Sequence, residues 1–125
     1  MLPGRIEATV QAIYAGCGGS AEVHYRCIAP PVDNDVALTN LLERCAIDRL
    51  GRDWVVPVMQ PSLGAEDFAE LLRDVPGMMM RLGVAGPDGC APLHNGAFAI
   101  DETALSVGIE VLTATLLAWI AEHGS

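Results

Sequence analysis

The sequence predicts an α/β fold, and three observations carry that prediction. Segments whose apolar residues recur at helical spacing alternate with short extended apolar runs. One of those runs, Ala21–Cys27, alternates residue by residue in the manner of a strand. Clusters of proline, glycine and aspartate separate the segments and supply the turns.

The elements follow in order. Ile6, Val10, Ile13 and Tyr14 mark a helix from Arg5 to about Ala15, and Gly16, Gly18 and Gly19 stop it. In Ala21–Cys27, Ala21, Val23, Tyr25 and Cys27 point one way and Glu22, His24 and Arg26 the other, which predicts a strand with one dry face. Ala29 to Asp35 is a break: two prolines enforce extended backbone, and Asp33 or Asn34 is placed to cap the next helix. That helix runs to Leu50, with Val36, Leu38, Leu41, Leu42 and Cys45 on its apolar side and Gly51 ending it. Trp54–Met59 is a short extended run, and a brief helix starting near Ala65 carries Phe68, Leu71 and Leu72. Met78–Val84 is apolar and bounded by turns, which predicts a buried strand. Residues 86–95 are loop. Asp101 caps a final helix whose core stripe is expected to be Leu105, Ile109, Leu112, Leu116, Trp119 and Ile120.

Composition narrows the function. Sixteen acidic residues against seven basic ones, all arginine, leave a net charge of -9, which excludes nucleic acid and anionic membrane surfaces as partners. Cys17, Cys27, Cys45 and Cys90 fit neither a zinc ribbon nor a disulfide framework, and no secretory leader is recognisable. Reduced thiols in a cytoplasmic protein are the expectation. Thr103–Ile120 has the length of a membrane span, but Glu110 in its middle would cost roughly 2.5–3.5 kcal/mol in lipid, and hydroxyl residues interrupt it. A helix in a soluble core is expected instead. With 51% hydrophobic and 18% charged residues, the chain is more apolar than a small free-standing domain needs to be. That predicts a partner, or membership of something larger.

Few residues invite chemistry. His94 lies in the loop segment Ala91-Pro92-Leu93-His94-Asn95-Gly96, and neutral imidazole is the commonest metal ligand, although one histidine is not a site. Cys90 stands four residues before it, with no second pair to close a zinc site and nothing to activate its thiol. Glu66 and Asp67 open a short helix, where their charge suits the helix dipole; the alternative is that a carboxylate lines a polar pocket. Asp101-Glu102 reads as a cap, His24 as surface, His123 as a terminal residue and Met78-Met79-Met80 as core filler. No phosphate-binding glycine loop, nucleophile elbow or H-E-x-x-H helix is present.

The order Leu63-Gly64-Ala65-Glu66-Asp67-Phe68, Val75-Pro76-Gly77, Leu82-Gly83, Leu93-His94-Asn95, Phe98, Asp101-Glu102, Ala104-Leu105, Gly108 resembles the N-acyl-amino-acid amidohydrolases, which include hippurate hydrolases and aminoacylase-like enzymes. The resemblance spans about residues 4–121. It implies a two-domain metallohydrolase whose α/β catalytic domain binds two divalent metals and is interrupted by a ferredoxin-like lid. On that pattern residues 1–29 are the end of the lid, a dimerisation domain. Residues 30–35 are the hinge, and residues 36–125 the C-terminal part of the catalytic domain. His94 matches the family's last metal ligand, and Glu66, Asp67 and Asn95 become substrate-pocket candidates. Zinc, manganese, cobalt and nickel all suit such ligands.

The sequence also departs from the family pattern. The Cys-Gly-x-His-x-x-x-His type segment, the paired-glutamate segment, the catalytic glutamate and the lid histidine have no counterpart here. The resemblance therefore implies a fragment of an amidohydrolase acting on N-acyl or N-aroyl amino acids. Such a fragment is inactive alone and needs its N-terminal half or a homo-oligomer. It should expose apolar faces on Ala21–Cys27 and on much of the final helix. The competing expectation is a non-enzymatic association or dimerisation module.

Overall fold

The computed structural model describes residues 2–124. The chain divides into two compact units, Met1–Pro30 and Pro31–Ser125.

The first unit is built on helix α1, Leu2–Gly16. It begins three residues earlier than the apolar spacing predicts, because Pro3 is tolerated in a first turn whose N–H groups have no helical partner. Tyr14 O accepts from both Cys17 N and Gly19 N, and Gly18 takes a φ of 75°, a conformation that favours glycine. The predicted strand at Ala21–Cys27 does not form. Ala21 and Val23 are half-buried as the alternation requires, but Tyr25 and Cys27 are exposed with the rest. A strand is defined by hydrogen bonds to a neighbour, and no described segment pairs with this one.

The second unit holds α2 (Val36–Leu50), a 3₁₀ turn at Arg52–Trp54, the one-turn helix α3 (Phe68–Leu71) and α4 (Thr103–His123). Helix α2 spans the predicted residues. Its cap is Asp35, however, whose Oδ1 accepts from Leu38 N at 2.9 Å; neither Asp33 nor Asn34 caps it. Gly51 ends it at φ 89°. Helix α4 packs along α2. Arg44 meets Glu122 at 3.1 Å and Arg49 approaches Glu110 at 4.0 Å, so the numbering rises along one helix as it falls along the other and the pair is antiparallel. Both ion pairs are exposed and add at most about 1 kcal/mol each.

The core is narrow and made of small side chains. Leu41 and Ala46 of α2, Ala69 of α3 and Ala104, Gly108, Val111 and Thr115 of α4 are buried, and among the described residues no large side chain is fully buried. This corrects the stripe expected on α4. Leu105, Ile109, Leu112, Leu116, Trp119 and Ile120 all lie exposed on the other side. Both faces of this helix are apolar, so hydrophobicity alone does not choose between them. Small residues let the backbones of α2 and α4 approach, and the larger side chains are turned outward.

The α/β class is likewise not realised within this chain, since no strand forms among the described residues. Trp54 closes the 3₁₀ turn and is 80% exposed, and Val56, Val58 and Met59 follow it into solvent. In Met78–Val84 the three methionines are all half-buried, and burial alternates only from Met80 on, with Leu82 and Val84 half-buried and Arg81 and Gly83 exposed. Its inner side packs on α4: a Cβ added to Gly108 would stand 3.0 Å from Leu82 Cδ2. What it lacks is a neighbouring strand.

Candidate functional site

His94 sits on a long loop that leaves the core at Val84 and returns at Asp101. The two stems are joined by a hydrogen bond from Asp101 N to Val84 O at 2.9 Å. Just beyond Val84, Gly86 and Gly89 form an isolated antiparallel bridge, with Gly89 N donating to Gly86 O at 2.9 Å and Gly89 at φ 79°. The loop then makes a second turn, in which Asn95 N donates to Pro92 O at 3.2 Å. Asn95 shapes the exit: its Oδ1 accepts from Ala97 N at 2.9 Å and its carbonyl from Phe98 N at 2.9 Å. The half-buried Phe98 ties that exit down.

His94 itself is exposed and has φ 66°, the one positive value found among the described non-glycine residues. That conformation costs a non-glycine residue on the order of 1–3 kcal/mol and persists only where the surroundings impose it. Asn95 and Gly96, the residue types that favour the left-handed region, come immediately after it and do not adopt it. Sequence patterning carries no signal for this placement.

The other anticipated site residues fall elsewhere. Glu66 and Asp67 are exposed at the start of α3. Glu66 Oε1 accepts from Phe68 N at 3.3 Å, the capping role that its position suggests, while the Asp67 carboxylate makes no capping bond. No hydrogen bond among the described residues joins either of them to His94 or Asn95. Nor do any three histidine, cysteine, aspartate or glutamate side chains there converge in a metal-binding group. A structural or catalytic metal needs about four ligands, so these residues do not by themselves make a metal centre.

Two polar residues, Asp101 at the stem of the loop and Asn34 at Met79, do more than sequence reasoning assigned them. Asp101 Oδ1 accepts from Thr103 Oγ1 at 2.7 Å and Thr103 N at 2.9 Å. The Thr103 hydroxyl, then its N–H, hold the Asp101 carboxyl below its ordinary value of 3.8. Asn34, expected only as a possible cap, spans a gap to Met79: its Nδ2 donates to Met79 O and its Oδ1 accepts from Met79 N, both at 2.9 Å. The clue available in sequence was only that a carboxamide can donate and accept at once.

Comparison with known proteins places this chain. Residues 2–118 match peptidase family M20/M25/M40, and the chain belongs to that family. It is 40% identical over 120 residues to a probable hydrolase of Synechocystis sp. (strain ATCC 27184 / PCC 6803 / Kazusa), covering 94% of this chain and 30% of that protein. It is 33% identical over 122 residues to an N-acetyldiaminopimelate deacetylase of Anoxybacillus flavithermus, covering 98% and 31%. An N-acetylcysteine deacetylase of Bacillus subtilis is 33% identical over 106 residues, covering 85% and 26%. The chain thus spans under a third of the length of these curated relatives. No solved structure matches it.

Proposed function

We propose that this chain is one part of a metal-dependent amidohydrolase that cleaves the amide bond of N-acyl or N-aroyl amino acids, and that it contributes His94 to a divalent-metal centre completed by residues outside it. The observation that carries the reading is the placement of His94: an exposed imidazole in an imposed left-handed conformation, on a loop tied at both stems. Membership of a peptidase family and the deacetylase names of relatives supply the reaction class. A divalent metal in such a centre lowers the pKa of a water and stabilises the oxyanion. On this reading the isolated chain is inactive, because His94 is its single proposed ligand and no three histidine, cysteine, aspartate or glutamate side chains converge around a metal site among the described residues. Asp67 is a better pocket candidate than Glu66 or Asn95, whose side chains accept from the backbone N–H groups of Phe68 and Ala97. A cytoplasmic setting belongs to the same proposal.

The outward apolar face of α4 supports a requirement for further polypeptide. It equally favours the second reading, an association module without chemistry. A chimera separates the two. This chain would replace the matching residues of the Anoxybacillus flavithermus N-acetyldiaminopimelate deacetylase, and release of acetate from N-acetyldiaminopimelate would be followed with added manganese or zinc. The expected result is deacetylation that falls at least about 100-fold in His94→Ala, as loss of a metal ligand requires. A soluble, folded chimera without activity, or one indifferent to His94→Ala, overturns the proposal.

A further inference from the structure

We propose that Asn34 is the positioning residue for His94, acting by holding the segment from which its loop departs. The inference rests on the reading of His94 as a ligand, but its geometry is independent of that reading.

The Asn34 carboxamide meets both backbone groups of Met79, donating to its carbonyl and accepting from its N–H, each at 2.9 Å. A carboxamide presents a donor and an acceptor side by side, as a peptide group on an adjacent strand does. The next residue continues the pattern, with Asp35 N donating to Gly77 O at 2.8 Å. Residues 34–35 therefore grip alternate residues, 77 and 79, as one edge of a ladder would. Asp35 also caps α2, so the grip is anchored to the start of a helix in the core pair.

From Met79 the segment runs five residues to Val84, its Leu82 seated against Gly108 of α4. At Val84 the carbonyl receives Asp101 N, and Asp101 in turn holds the first turn of α4 through Thr103. The His94 loop thus hangs between two stems. One is referred to α2 through Asn34 and the other to α4 through Asp101. Among the described residues no other side chain hydrogen-bonds the backbone of 78–84, so Asn34 supplies the side-chain clamp on this segment, beside the backbone bond at Val84 and the packing of Leu82. Without the carboxamide, a part-buried N–H and C=O lose their partners, and the segment is held less firmly at its Met79 end. Ligand geometry tolerates little of that, since metal sites depend on the groups that orient the ligands.

The test uses the isotope-labelled chain itself, with amide hydrogen exchange and the His94 imidazole carbon–proton signals as readouts. In Asn34→Ala, exchange at Met79 and Asp101 is expected to quicken at least about 10-fold and the His94 signals to shift, while Leu41 and Val111 in the helix pair keep their protection. Faster exchange at Met79 with Asp101 and His94 unchanged would reduce Asn34 to a locally satisfied polar group and overturn the proposal. Where the alanine variant loses protection throughout, Asn34→Asp decides. It keeps the acceptor for Met79 N and removes only the donor, and the same shift at His94 is expected with the helices intact; an unmoved His94 overturns the proposal there too. Failure of the ligand reading would appear separately, as a chimera indifferent to His94→Ala.

Discussion

The two faces of α4 are apolar alike and have opposite fates. The inner face, Ala104, Gly108, Val111 and Thr115, is buried, with Val111 3% exposed. The outer face carries more hydrophobic bulk, yet its Leu112 is 50% exposed. Burial of a large aliphatic side chain contributes about 1.5–3 kcal/mol, so the outer face holds more unused stabilisation than the inner one supplies. Its size is therefore not what selects the inner face. Close approach is: α2 and the Met78–Val84 segment reach α4 where its side chains are small, as the 3.0 Å clearance between a Cβ at Gly108 and Leu82 shows. A helix that is apolar all round is normally covered all round, and here one side lacks its cover.

Three experiments would break or sharpen that contrast. The largest effect is expected from placing a charge on each face in turn. Val111→Asp puts an unpaired carboxylate in the core and should cost about 3 kcal/mol or more, enough to unfold so small a core. Leu112→Asp, one residue on, should change stability by no more than about 0.5 kcal/mol and raise solubility. Urea unfolding followed by helical circular dichroism compares them, and equal losses would mean that the two faces are not distinct. A smaller effect is expected at the point of closest approach. Gly108→Val would press into Leu82 and should cost about 1–3 kcal/mol by overpacking, read in the same unfolding experiment. A neutral result would show that the segment above α4 yields easily.

The smallest effect concerns the N-terminal end of the helix, where Asp101 is held below its ordinary value by Thr103. A carboxylate whose folded pKa is depressed contributes stability that is fully present above its unfolded value, near 3.8, and is lost as pH falls through the lower folded value. Thermal midpoints measured from pH 5 down to about pH 2 should therefore fall less steeply in Asp101→Asn than in the unaltered chain. Parallel slopes would remove Asp101 from the acid response.

Local signals were legible and relational ones were not. The limits of α2 could be read from Val36 to Gly51 because a cap and a left-handed glycine act on their own neighbours. Only the identity of the capping residue was misplaced, since Asn34 and Asp35 compete for the role and the tertiary contact to Met79 takes Asn34 away. The strand at Ala21–Cys27 was read from alternation and that at Met78–Val84 from an apolar run bounded by turns, and either signal reports burial but not a partner. With no partner strand among the described residues they remain unpaired. At the candidate site, His94 was found through the motif order around it. Its left-handed backbone and the Asn34 clamp left no trace in residue spacing.

The sequence by itself determined the extent of α2, the family to which the chain belongs and the candidate histidine, because each is encoded in adjacent or ordered residues. Tertiary structure alone decided which face of α4 enters the core, which residue holds Met79 and what conformation His94 takes. Those outcomes depend on distances between residues far apart in the chain, where size and hydrogen-bond geometry, rather than hydrophobicity, choose between otherwise equal alternatives.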